Sequence, residues 1–286
     1  MKNISRFLMA GVMFLSLSGL SAAGDFTLDP STVSGCGSCT SPVNNVFGFT
    51  FVGTSYIQNN LGGDGVLSAG DTFTDNGALS ATSLESAIST PIIPGITGLN
   101  TNWQLGVIFT GLAGTNTSVT GSNASFDFAP GVGTISIYAQ PLTGTGQDPN
   151  NPATIASGTL VATLKVLVGS GNLDTSAPAG PDGRVNLIAQ FTSLLPGFWE
   201  KLGVPINLSD TVFFAITDSN NNVFSAPAGT ISNFNTFFGI SSGNNVPSQI
   251  FTSNDGSVQF AVPEPSSMLL LGSGLLGLAG FLRRRK

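Results

Sequence analysis

The stretch ASFDFA at Ala124–Ala129 gives the clearest indication of how this chain folds. Phe126 and Phe128 fall on one side of an extended backbone, and the polar residues beside them fall on the other. Alternation of this kind predicts a β-strand with one face in a core and the other towards water. The segment GTISIYAQ at Gly133–Gln140 repeats the alternation.

Similar short runs, rich in Phe or β-branched residues, recur between turns made of Gly, Asn, Pro, Asp and Ser. Repeated short strands separated by turn residues are typical of sandwiches of antiparallel sheets. We therefore predict an all-β body, a β-sandwich or jelly roll with long loops rich in Gly and Asn. The predicted strands are Val46–Val52, Gln104–Thr110, Ala124–Ala129, Gly133–Gln140, Thr159–Val168, Val185–Thr192, Thr211–Thr217 and Ser257–Val262.

Two short helices are also predicted, at Ser83–Ile88 and Leu194–Leu202, although Pro196 and Gly197 weaken the second. A single sandwich with long loops accounts for the whole body. A boundary between two domains in the loop 144–152, GTGQDPNNP, is the alternative.

The composition excludes several classes of function. Only 8% of the 286 residues are charged, and the absence of histidine removes Ser-His-Asp catalysis, Cys-His catalysis and His-ligated zinc. The body, residues 24–262, has 14 acids against three cations, Lys165, Arg184 and Lys201, which gives a net charge of −11. Because it has no basic face, we predict that it binds no nucleic acid.

The N-terminus has the pattern of a secretory signal peptide. Lys2 and Arg6 supply the positive start, and an apolar run follows from Phe7 to Leu20. Small residues then end at Ala23, which predicts cleavage by signal peptidase after that residue. An uncleaved membrane anchor is the alternative, but the run is shorter than the roughly 20 residues of a full span.

The C-terminus contains three parts in order: a Pro-Glu-Pro motif, one short hydrophobic helix and a basic stop. The prolines exclude a continuing helix or central strand, and so predict an extended, accessible segment. The apolar run is near the lower length limit for a membrane span, and the cations after it stay on the cytoplasmic side. The parts are Pro263-Glu264-Pro265, Met268–Leu282 and Arg283-Arg284-Arg285-Lys286.

This tail resembles the PEP-CTERM sorting signal of exported bacterial proteins, over residues Pro263–Lys286. The resemblance implies that an exosortase, an integral-membrane transpeptidase-like enzyme, recognises and cleaves the tail. It implies a transient anchor in the inner membrane, then transfer to the surface or extracellular matrix of a Gram-negative cell, often alongside exopolysaccharide. An ordinary single-pass tail anchor is the alternative. We therefore divide the chain into a signal peptide (1–23), an exported β-rich domain (24–262) and a sorting segment (263–286).

The body is faintly similar to the flocculation-associated subset of PEP-CTERM proteins, through GDTFTDNG at Gly70–Gly77 and LLPGFWE at Leu194–Glu200. This similarity implies a structural or adhesive role in exopolysaccharide, biofilm or floc formation, without enzymatic activity. A carbohydrate-binding module is the alternative, with Trp103 and Asn102 as possible sugar contacts, although core packing also accounts for the tryptophan. A secreted glycan hydrolase is a third hypothesis, because the 14 body acids leave room for the carboxylate pair that it needs. Nothing that flanks Glu85 or Glu200, the only body glutamates, forms a known acid/base signature.

The two cysteines, Cys36 and Cys39, predict a disulfide in an exported chain. A redox pair would need a helix directly after the motif, and Thr40-Ser41-Pro42 favours a loop instead. No catalytic residue, metal ligand or cofactor is assigned. Closely spaced Asp and Asn residues leave calcium as an alternative to turn formation, in two sets: Asp64, Asp71 and Asp75, and Asp218, Asn220 and Asn222.

Overall fold

The computed structural model describes residues 26–37, 39, 42–87, 90–142, 146–175, 183–201, 203–208, 213–243 and 246–261. The predicted signal peptide, its cleavage point at Ala23, and the sorting segment with its hydrophobic helix lie outside these residues. Among the described residues, no helix has both the length and the apolar character required to cross a bilayer.

The described part of the chain contains fourteen strands and three α-helices. The helices are α1 (Pro94–Thr97), α2 (Pro152–Ala156) and α3 (Ala228–Phe238). The strands are β1 (Phe26–Leu28), β2 (Val43–Val46), β3 (Gly48–Asn60), β4 (Thr72–Ala87), β5 (Thr90–Pro91), β6 (Trp103–Thr120), β7 (Asn123–Phe128), β8 (Thr134–Pro141), β9 (Thr159–Asp174), β10 (Gly183–Leu194), β11 (Trp199–Lys201), β12 (Val204–Pro205), β13 (Phe213–Val223) and β14 (Gln249–Ala261).

Ten strands form one antiparallel sheet that closes on itself. Its order is β5-β4-β3-β14-β13-β10-β9-β7-β6-β8, and further pairings join β4 to β6 and β8 to β9. The long strand β6 pairs with β8 along its first half and with β7 along its second, so these two strands share one position in the ring. The alternating apolar side chains point inward from all sides and fill a common core.

The prediction of an all-β body is confirmed, and each of the eight predicted strand segments overlaps an observed strand in the residues that the structure describes. The predicted helix at Ser83–Ile88 is wrong because the described part of that segment continues β4 to Ala87. Leu84 is fully buried there, and Glu85 is in register with Gly48 of β3. The predicted helix at Leu194–Leu202 is also wrong: a turn at Gly197 leads into β11.

A second sheet, in the order β12-β11-β1-β2, covers one end of the closed sheet. We call this the cap end; β6 and β9 begin there and β14 finishes there. Aromatic rings fill the cap end. Phe260 lies 5.7 Å from Phe26 and 5.2 Å from Trp199 between ring centroids, and the Trp199 indole Nε1 donates to the Val161 carbonyl at 2.8 Å.

The opposite end, which we call the loop end, contains the connections from β3 to β4 and from β6 to β7. Helix α3 lies on the outside of the sheet, over β3 and β14. Its Phe234 ring is 5.4 Å from Phe251, which in turn lies 5.1 Å from Tyr56. This contact buries outward-facing aromatic side chains that would otherwise be exposed to water.

Candidate functional site

The predicted sugar contact Trp103 lies in the core, with 1% of its surface exposed. Its indole Nε1 donates to the Thr97 carbonyl at 2.8 Å, and its ring packs edge-on against Phe198 at 6.3 Å. A buried ring cannot stack on a sugar, so core packing accounts for this tryptophan. Asn102 beside it is exposed. The structure therefore does not bring the two residues together as a sugar site.

Cys36 and Cys39 are joined by a disulfide within consecutive turns at the cap end. The Cys36 backbone N–H donates to the Val33 carbonyl, and the Cys39 N–H donates to the Cys36 carbonyl. The next described element is strand β2 rather than a helix. The described residues therefore contain no helix N-terminus that would stabilise a Cys36 or Cys39 thiolate.

Three of the residues considered for calcium form separate hydrogen bonds, and the side chain of Asp218 lies outside the described part of the structure. The Asp64 carboxylate accepts the Val66 backbone N–H at 2.9 Å, and Asp71 accepts the Ser68 N–H at 2.7 Å, which are turn-forming bonds. In the other set, Asn220 Nδ2 donates to the Asp255 carboxylate at 2.9 Å. No cluster of three or more metal-binding side chains occurs in the part of the chain that the structure describes.

A cavity of about 80 Å³ lies inside the closed sheet, in its middle and loop-end portion. Strands from all sides of the ring line it. Its walls differ in chemistry because the two halves of the ring direct different side chains inward. We call these the apolar wall and the polar wall.

The apolar wall comes from β6, β7, β8, β9 and β10, with Phe73 of β4 at its edge. The ring centroid of Phe73 is 5.3 Å from that of Phe126 and 5.5 Å from that of Phe128, both in edge-to-face contact. Such contacts add to the burial of the rings themselves. The other members of this wall include Phe109, Leu112, Ile135, Leu173 and Leu187.

Several of these rings lie across glycines on the neighbouring strand, directly opposite in register. A Cβ at the glycine would overlap the ring, so only glycine allows the phenylalanine to lie flat against the sheet. This pairing gives one physical reason for a chain that combines 37 Gly with 21 Phe. The pairs are Phe109 with Gly77, Phe73 with Gly114, and Phe126 with Gly171.

The polar wall consists of the polar lining residues of the four adjacent strands β4, β3, β14 and β13. The same strands also direct apolar side chains into the cavity: Phe51, Ile57, Leu79, Phe214, Ile216 and Ile250. The Ser55 and Thr252 hydroxyls are 2.6 Å apart, and Thr252 Oγ1 donates to Asn254 Oδ1 at 3.0 Å. On β13, the Ser219 hydroxyl donates to Asn221 Oδ1 at 3.0 Å. These hydrogen bonds hold the wall in one arrangement, and all of these residues except Asn254 are buried.

Asp75 is the only titratable residue among the described residues that line the cavity. Burial raises the pKa of its carboxyl group to about 8, against the lowering effect of hydrogen bonds with Ser55 and the Asn76 backbone. Its Oδ1 atom is buried and has no hydrogen-bond partner in the protein. The polar wall therefore contains one unused hydrogen-bonding atom, at a group that is mostly neutral near pH 7.

At the cap end, β14 ends at Ala261, in register with Phe213 of β13. Phe260 directly before it is fully buried in the aromatic cluster of that end. The final described strand thus brings the C-terminus of the body to the cap end, on the far side of the fold from the polar wall of the cavity.

The comparison with known protein families gives a match for the segment that follows this strand. Residues 261–286 match the PEP-CTERM protein-sorting motif. The resemblance predicted for Pro263–Lys286 is confirmed, and the motif implies an exported protein that an exosortase-type enzyme processes and that is transiently anchored in the membrane. No curated protein matched the chain significantly, and neither did any solved structure.

Neither the cavity nor the inward position of Asp75 was predicted from the sequence, in which Asp75 was considered only as a turn residue or a calcium ligand. Phe73 and Asp75 are inward-facing at alternate positions of β4. That alternation could have indicated a strand, but its inward positions continue with Gly77, which carries no apolar side chain. Helix α3 had a clearer signal: Ile231, Phe234 and Phe238 have the spacing of one helical face.

Proposed function

We propose that this chain is a non-catalytic surface or matrix protein of a Gram-negative cell, with a structural or adhesive role in exopolysaccharide, biofilm or floc. The sorting motif at residues 261–286 supports export and processing by an exosortase-type enzyme. The acidic body, with few charges, and the similarity at Gly70–Gly77 and Leu194–Glu200 support the role in the matrix.

The sorting proposal rests mainly on the position in the fold at which the motif begins. Its first residue, Ala261, is the last residue of β14, and the fully buried Phe260 precedes it. Cleavage at the Pro263-Glu264-Pro265 motif would therefore remove no described strand and no described core residue. The tail can act as a detachable anchor because the last described strand ends before the prolines of the motif.

The position of Ala261 also supports one orientation at the membrane. Six residues, 262–267, separate it from the predicted membrane segment that begins at Met268. The seven Cα–Cα steps from Ala261 to Met268 span at most about 25 Å when the chain is fully extended. While the tail is anchored, the cap end would therefore face the bilayer, and the loop end would face away from it.

Mass spectrometry of the C-terminal peptide tests the sorting step in isogenic cells with and without an exosortase. We expect the peptide to end near Pro263 only in cells that have the enzyme. A double variant, Pro263→Ala with Pro265→Ala, should keep its tail, while Pro205→Ala in the exposed part of β12 should be processed normally. An intact tail in equal amounts in both strains would contradict the proposal.

The matrix role needs a separate test. We expect deletion of the gene to reduce aggregation and retention of exopolysaccharide, and the intact chain to restore both. A chain truncated after Val262 should be secreted without restoring them, since it would bypass the membrane-anchored step. Full restoration by the truncated chain would show that sorting is not needed, and no effect of deletion would contradict the matrix role.

A further inference from the structure

We propose that the cap end rests on the lipid bilayer while the tail anchors the protein, and that four exposed apolar side chains there enter the region between headgroups and acyl chains. These side chains, which we call the apolar contacts, are Ile93, Ile96, Val204 and Leu208. The inference rests on the proposed function, because it requires a tail that inserts into a membrane. It goes beyond that function in naming the surface of the body that contacts lipid.

The apolar contacts are concentrated at one end of the fold. Among the described residues, they are four of the five most exposed large apolar side chains, with between 48% and 69% of their surface accessible. The fifth, Val66, lies at the loop end. Single exposed apolar residues are common on protein surfaces, so it is their concentration at one end that indicates a contact surface.

Ile93 and Ile96 lie on the rim of the cap end formed by β4 and β6. The Ile92 backbone N–H donates to a carbonyl of β4 at 2.7 Å. The Thr97 carbonyl accepts the indole N–H of Trp103, the first residue of β6, at 2.8 Å. The segment is therefore fixed to the closed sheet on both sides of the two exposed isoleucines.

Val204 and Leu208 lie on the opposite rim, which is three strands away from β4 in the ring. Val204 belongs to β12, one edge strand of the second sheet, whereas the other edge strand, β2, contacts β4. The Ile206 N–H donates to the carbonyl of the buried Trp199 at 2.9 Å, and the Trp199 ring lies 5.4 Å from that of Phe191 in β10. The apolar contacts therefore flank the cap end on two sides.

The two ends of the described body also lie at the cap end. Phe26 comes three residues after the predicted signal-peptidase site at Ala23, and its ring centroid is 5.7 Å from that of Phe260. Ala261 is at most about 25 Å from Met268, where the predicted membrane segment begins. Both predicted apolar segments therefore adjoin the cap end, so lipid is the surface that the apolar contacts meet while the tail is inserted.

Contact with lipid removes the apolar contacts from water. Burial of apolar area at the membrane interface is favourable, and the tail makes the contact an intramolecular event because it already holds the body within reach. A single myristoyl chain binds a membrane only marginally. Four aliphatic side chains of similar total size would therefore orient the anchored body without retaining it after the tail is cut.

Quenching from the lipid acyl chains tests this contact. The full chain, with one added cysteine for an environment-sensitive fluorophore, is anchored by its tail in liposomes of phosphatidylethanolamine and phosphatidylglycerol with brominated acyl chains. We expect quenching and a blue shift of the emission for a label on Ile96→Cys or Val204→Cys. The similarly exposed control, Val66→Cys, should show neither.

Flotation of the same liposomes separates this inference from the proposed function. Protein that does not float has no membrane-inserting tail, which would contradict both. Protein that floats, but whose labels at positions 96 and 204 respond no more than the label at position 66, would contradict only the contact with lipid. A blue shift that appears only when an exosortase is added, without quenching from the acyl chains, would assign the apolar contacts to the enzyme and overturn the inference.

Charged substitutions test whether the apolar side chains themselves cause the contact. Ile93→Asp combined with Val204→Asp should abolish the quenching of a label on Leu208→Cys, because a carboxylate is costly to remove from water. Val66→Asp with the same label is the matched control and should leave the quenching unchanged. All of these sites are exposed, so circular dichroism should match the wild type. Quenching that persists in the double variant would show that tethering alone brings the cap end to lipid, and would contradict the role of the apolar contacts.

Discussion

The two ends of the closed sheet are filled in different ways. At the cap end, Trp103, Phe198, Trp199 and Phe260 pack edge-to-face, and both indole N–H groups have backbone acceptors. Towards the loop end, the interior holds a cavity and a wall of Ser, Thr, Asn and Asp side chains. The densely packed cap end is therefore the end at which the body joins the sorting tail. The cavity lies towards the opposite end.

Among changes to core packing, the largest effect should come from the cap end. Phe260→Ala removes a fully buried ring that contacts Phe26, Phe49 and Trp199, so we expect a loss of about 3–5 kcal/mol in the free energy of unfolding. Phe224→Ala, at a half-buried phenylalanine on the outer face near α3, is the matched control and should cost clearly less. Urea denaturation measures both, and equal losses would contradict the difference between the regions.

The glycine–phenylalanine pairs should give the next largest effect. Gly77→Ala places a Cβ against the Phe109 ring, and overpacking of this kind costs about 1–3 kcal/mol. Gly229→Ala is the control, because that exposed glycine in α3 has no atom near its Cβ position and alanine favours a helix. Thermal denaturation should show a lower Tm for the first variant and an unchanged or higher Tm for the second.

Asp75 should make stability depend on pH. Its pKa is about 8 in the folded protein and near 3.8 in the unfolded chain, so the folded state holds an extra proton between these values. The free energy of unfolding then falls as pH rises from about 4 to 8, by up to about 1.4 kcal/mol per pH unit from this group.

The matched variant for this prediction is Asp75→Asn, which cannot ionise. We expect it to resemble the wild type near pH 4 and to be more stable above pH 7, as measured by urea denaturation at each pH. Other carboxyl groups contribute equally to both proteins, so the difference isolates Asp75. Parallel pH profiles for the two proteins would show that Asp75 ionises normally in the folded state.

The features of the protein that depend on local sequence patterns could be predicted from the sequence. Alternation identified β7 and β8, and the order of parts in the C-terminus identified the sorting segment, because an enzyme reads such a signal as a linear sequence. Strand β4 was not predicted, since its inward positions include Asp75 and Gly77 instead of apolar residues. Closure of the sheet through the pairing of β4 with β6 depends on long-range register, and the cavity exists only once that register is set.

The location of the tryptophans illustrates the same limit. Trp103 stands among polar residues in NTNWQ, which is a pattern typical of an exposed sugar site. In the structure the strand β6 begins at this residue and turns its ring inward to Phe198. Local composition gave no indication of that direction, because the packing partner lies 95 residues away along the chain.

The central claim, that the cap end faces the membrane while the loop end faces away, can be measured directly. Val204 at the cap end and Val66 at the loop end are similarly exposed, at 63% and 60%, so a fluorophore on Val204→Cys or Val66→Cys serves as a matched pair. The measurement uses the full chain anchored in liposomes that carry a quencher on the lipid headgroup. We predict strong quenching at position 204 and little at position 66; equal quenching, or stronger quenching at position 66, would contradict this orientation.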